Sequence, residues 1–93
     1  MSLFLKDPDA GVDYRVDWTA TLDGGVTVSA SVWTVDPAEP SGLTVDRQAI
    51  TAGSTTARLS GGIAGHVYRV GNRVTLSDGS VDERSLVVRV EER

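Results

Sequence analysis

The sequence predicts an all-β domain, a sandwich of about seven short antiparallel strands. Three observations carry this. Every apolar-rich stretch alternates with period two, and none repeats with period 3.6 for long enough to make a helix. Turn signals built from Gly, Pro and Asp separate these stretches at intervals of about 8–12 residues. Valine and threonine fill the stretches themselves, as a pleated, half-buried surface prefers.

At the N-terminal end, Leu3, Phe4 and Leu5 are three consecutive apolar residues without alternation. Residues 1–9 are therefore expected to form an arm ahead of a sandwich domain over residues 10–93. Such an arm either adds an edge strand to its own sheet or seats against a neighbouring molecule. "VDYRVDW" then places Val12, Tyr14, Val16 and Trp18 on one face of a strand, with Asp13, Arg15 and Asp17 on the other. "DGG" at 23–25 reads as a hairpin turn, because glycine accepts the positive φ such turns demand.

In "VTVSASVWTV" the apolar set begins at Val26, Val28 and Ala30 but ends at Trp33 and Val35, so the phase flips. A slip of one residue in the pleat points to a β-bulge between Ser29 and Val32. "DPAEPSG" at 36–42 is a connection, "LTVD" a short strand, "RQAITAGST" a polar loop, and Thr56–Leu59 the next strand. "VYRVGNRVTLS" sets Tyr68, Val70, Val74 and Leu76 against Arg69 and Arg73 on the opposite face. "DG" at 78–79 closes a hairpin, after which Leu86, Val88 and Val90 point inward.

The stretch "LSGGIAGHVYRVGNRV" from residue 59 looks at first like a phosphate-cradling loop. That chemistry needs glycines feeding a helix N-terminus, usually with a Lys. Here no Lys follows, the G-x-G-x-x-G spacing is absent, and the glycines lead into a strand. A tyrosine at the head of a strand just past such a bend has another use. In immunoglobulin-like folds it sends its hydroxyl back to the backbone of the preceding corner. Tyr68 is read as this tyrosine corner, and "TARLSGGIAGHVYRVGNRVTLSDG" resembles the E–F–G region of fibronectin type III domains. The expected architecture is thus an immunoglobulin/fibronectin-III-like antiparallel β-sandwich.

Composition excludes several classes of function. The 93 residues hold no cysteine, so neither disulfides nor thiolate metal sites supplement the core. Nine basic and thirteen acidic residues leave a net charge of −4, which argues against nucleic acid as a partner. Residues 1–46 carry two basic and eight acidic side chains; residues 47–93 carry seven and five. This asymmetry suits either solvated faces or a head-to-tail contact between copies. Neither a signal peptide nor a membrane span is expected.

Candidate chemistry is sparse. His66 is the single histidine, without a cysteine partner for zinc or an evident nucleophile. Asp7, Asp9 and Asp13 are spaced a little like a calcium loop, but Trp18 stands where the bidentate Glu should close it. They read instead as a turn at the mouth of the first domain strand. Trp18 and Trp33 could stack on a sugar if exposed, yet each continues an apolar strand face and is expected in the core. No catalytic residue, cofactor or metal is expected.

Taken together, "KDPDAGVDYRVDW", "SVWTV", "GLTVD" and "LSGGIAGHVYRVGNRVTLSDGSVDERSLVVRVEER" resemble a family of small virion proteins of tailed bacteriophages, described as fibre–tail adaptor or tail-associated proteins. The resemblance runs from Lys6 to Arg93, with "DPAEPSG" longer than the family pattern. It implies a non-enzymatic structural protein, made in the bacterial cytoplasm and built into the virion in several copies at the tail, neck or fibre attachment site. Its partners would be other phage structural proteins and copies of itself, with no membrane or nucleic acid. Contacts are expected through Leu3, Phe4 and Leu5 of the arm, through sheet edges, and through Arg69 and Arg73. The alternative is a capsid-surface or carbohydrate-binding immunoglobulin-like module.

Overall fold

Period-two alternation turns into two packed layers. The strands are β1 (Ser2–Lys6), β2 (Val12–Asp17), β3 (Val28–Asp36), β4 (Leu43–Thr51), β5 (Ser54–Gly61), β6 (Val67–Leu76) and β7 (Val81–Val90). One sheet runs β1-β7-β6-β3 and the other β2-β5-β4. The computed structural model describes residues 2–92; Met1 of the expected arm and Arg93 of the expected domain lie outside them. The layers hold the strand order of B-E-D and G-F-C in immunoglobulin domains, with β1 joined to β7.

That junction is parallel, pairing Leu3 with Val87 and Leu5 with Arg89, whereas the other four pairings are antiparallel. The strands of the expected sandwich thus pair antiparallel, and the one parallel pairing is that of the expected arm. The turn after Lys6, closed by Ala10 N–H donating to Asp7 O at 3.1 Å, carries the chain across to the other sheet instead of back along β1.

Two expectations change. Asp23–Gly25 is not a hairpin turn, because β2 and β3 lie in different sheets. Trp18 plunges into the core, and the chain leaves it through a 3-10 turn at Thr19–Thr21 before bending at Gly24 and Gly25. The stretch 47–55 is not a loop. β4 continues to Thr51 and meets β5 in a tight hairpin whose central residues, Ala52 and Gly53, have φ of 43° and 85°. The pattern was obscured because this half of β4 is exposed on both faces and carries a register shift between Asp46 and Ala49. The β3 register shift falls between Val28 and Ala30, slightly ahead of the expected place.

The inner faces form two apolar clusters. Trp33, Leu43, Ala57, Leu59, Tyr68, Val70, Val88 and Val90 make the larger; Trp18, Val74 and Leu76 make the smaller. Val16 packs against both and joins them. Between the layers sits a fully buried polar cluster. The Trp18 indole N–H lies 3.1 Å from both Thr55 Oγ1 and Asn72 Oδ1, and the Thr55 hydroxyl donates to Asn72 Oδ1 at 2.6 Å. Asn72 Nδ2 in turn donates to Ser31 Oγ at 2.8 Å and to Val32 O. β3, β5 and β6 and the residue that follows β2 thus meet at one amide. Trp33 Nε1, by contrast, is buried without a partner among the described residues.

Burying the polar groups of Trp18, Thr55 and Asn72 is tolerable because each of the three is paired. Replacing Asn72 with Leu keeps much of the volume but removes the acceptor of the Thr55 hydroxyl and one of two for Trp18. Asn72→Leu is expected to cost about 1–3 kcal/mol in urea unfolding, with an unchanged m-value.

Candidate functional site

The bend ahead of β6 is held by one phenol. Gly61, Gly62 and Gly65 all take positive φ there, as the sharp turn requires. Tyr68 is fully buried, and its hydroxyl accepts the Ile63 N–H at 3.1 Å, five residues back. The same hydroxyl donates to Glu39 Oε1, which also meets His66 Nδ1 at 2.9 Å. Glu39 lies in the β3–β4 connection "DPAEPSG", so this long loop is clasped onto the corner. The hydrogen bonds from Tyr68, then from His66, hold the Glu39 carboxyl below its ordinary range. Burial, then the Glu39 contact, pushes the Tyr68 phenol up.

The apolar triplet is split by the pleat. Phe4 faces inward and packs edge-on against Tyr14, with ring centroids 4.9 Å apart. Leu3 and Leu5 point outward, 63% and 49% exposed. Leu3 is in register with Val87, and Leu5 with Arg89, across which stands the exposed Val67, so apolar and arginine side chains are interleaved over β1, β7 and β6. Arg69 and Arg73 are exposed on this same face, in register with Val87 and Glu83. Arg69 reaches Ser85 Oγ at 3.3 Å; Arg89 pairs with Glu91 at 2.8 Å. The outer face of the four-stranded sheet therefore carries Leu3, Leu5, Arg69 and Arg73, while Phe4 lies on the opposite face against Tyr14, still 38% exposed.

Trp18 and Trp33 are both buried, 0% and 6% exposed, and neither offers a ring to a sugar. Asp7 accepts the Asp9 N–H at 2.8 Å within its own turn, and Asp13 faces Arg58 at 3.8 Å. Among the described residues no group of His, Asp or Glu could hold a metal ion.

Three residues with structural work were missed in the sequence. Lys6 is buried, its Nζ donating to Gly61 O at 2.7 Å and Asp7 O at 2.8 Å, which ties β1 to the bend. Burial lowers its affinity for the proton, while Asp7 and then Asp9 oppose that. Asn72 falls between Val70 and Val74 on the inward phase of β6, a signal that period two alone could have given. Glu39 carried no local signal, because its partners are 27 and 29 residues away.

The chain matches, over residues 6–89, the family model of the podophage GP4 fiber-tail adaptor protein gp77, and it belongs to that family of phage fibre–tail adaptors. A search of curated proteins finds no match.

Two outcomes test the clasp. Tyr68→Phe loses both hydroxyl contacts and is expected to cost about 1–3 kcal/mol in urea unfolding. For Glu39, the folded carboxyl titrates below its ordinary value, so its contribution is complete above about pH 4.5 and disappears as pH falls through the folded value. Thermal unfolding should accordingly show the wild type above Glu39→Gln at pH 7, with the gap closing in acid.

Proposed function

We propose that the chain is a non-enzymatic structural protein of the virion, present in several copies at the tail, neck or fibre attachment site. The observation that carries this reading is the family match over residues 6–89, whose name describes a joint between fibre and tail. The outer face of β1, β7 and β6 is the proposed contact surface. There the exposed Leu3, Leu5 and Val67 supply apolar area, and Arg69 and Arg73 supply donors suited to planar carboxylates. The free edge of β1 adds a second mode of contact. Its "SLFLK" run holds no Pro and no outward charge, the devices by which exposed edges usually avoid pairing.

The carbohydrate-binding alternative rested on Trp18 and Trp33, and their burial removes its basis. Rigid layers with contact faces suit an assembly role, although the fold alone does not specify one.

Because Leu3 and Leu5 point outward, Leu3→Asp with Leu5→Asp should leave the sandwich folded. In phage particles assembled with this variant, mass spectrometry of purified virions should find its incorporation reduced about tenfold. Undiminished incorporation would remove this face from the reading.

A further inference from the structure

β1 pairs with β7 from Ser2, opposite Leu86, to Lys6, opposite Val90. Beside this junction a groove opens between β7 and β2, the edge strand of the other sheet. Phe4, Tyr14, Val16 and Leu86 give it an apolar floor; Arg15, Asp17, Arg84 and Ser85 form its rim.

The rim is charged and its cations are already positioned. Arg15 Nε donates to Ser54 Oγ at 3.0 Å. Arg84 donates to Asp17 O at 2.7 Å and lies 4.6 Å from the Trp18 ring centroid. Neither forms an ion pair with a carboxylate among the described residues. The Asp17 carboxylate is turned to its own chain, accepting the Thr19 N–H at 2.9 Å and the Thr19 hydroxyl at 2.7 Å. Two arginines against one engaged carboxylate leave the rim net positive. Further along β7, the Glu83 N–H is already taken by Asp82 at 2.8 Å, which limits the opening to the neighbourhood of Arg84–Leu86.

We propose that this groove is a docking site for a short extended peptide segment of a partner chain, carrying one apolar side chain and one carboxylate. The segment lies along the groove between β7 and β2. Its apolar side chain sits over Phe4, Tyr14 and Val16, and its carboxylate is bound between Arg15 and Arg84. This is a separate surface from the outer sheet face, and the inference stands on the groove's geometry whether or not the adaptor reading holds.

The test is an amide NMR titration of the full chain with two blocked pentapeptides, Thr-Leu-Asp-Val-Thr and its Asp-to-Lys counterpart, up to millimolar concentration. The acidic peptide should shift the amides of Tyr14–Asp17 and Arg84–Leu86 saturably, and the lysine peptide should not. Arg15→Glu, at an exposed position away from the core, should weaken binding at least about fivefold. Arg84 is left intact because it covers Trp18. Absence of saturable shifts, equal binding of the lysine peptide, or shifts confined to the free edge of β1 would overturn the proposal. Shifts of the same amides on raising protein concentration without peptide would assign the groove to a second copy and overturn it too.

Discussion

Everything in this molecule depends on satisfying one indole N–H inside a thin sandwich. Trp18 sits where β2 ends, fully enclosed, and its nitrogen finds Thr55 on one sheet and Asn72 on the other. Through Asn72 the same cluster holds Ser31 and Val32 of β3. In a low-dielectric interior such a cluster is favourable only when complete, so it fixes the register and facing of the strands that meet there. It also explains the excursion at 18–27. The chain must turn away after Trp18 and therefore crosses to the other layer instead of folding back as a hairpin.

The far end of the sandwich is secured differently. Tyr68 pins the bend at Ile63, Glu39 draws the β3–β4 connection onto that phenol, and Lys6 ties the first strand to Gly61. Three segments distant in sequence converge on a few polar atoms, while the valines of β6 and β7 fill the layer between. With both ends fixed, the outer face of the four-stranded sheet is free of internal duty. Leu3, Leu5, Val67, Arg69 and Arg73 are there at no cost to the core. That division leaves the outer face available for the contacts proposed above.

How much was legible follows from where each signal lies. Alternation in "VDYRVDW" and "RSLVVRV" reports a strand with one wet and one dry face, and β2 and β7 have such faces. The glycines ahead of Tyr68 announce the bend they make. Leu3, Phe4 and Leu5 could not be sorted by composition, since only the pairing with β7 decides that Phe4 turns inward and its neighbours outward. β4 was hidden because exposure on both faces leaves no apolar period to read. The groove between β2 and β7 was equally invisible, being lined by residues of β1, β2 and β7 that no single motif brings together.

Hydrogen exchange at the two indole nitrogens, followed by NMR under native conditions, probes the central claim most directly. If the Trp18 cluster holds the sheets together, its indole proton exchanges only through global unfolding, with a protection free energy equal to that from urea denaturation. A Trp18 indole proton that exchanges far faster than the slowest core amides, while the sheet remains folded, would contradict the account.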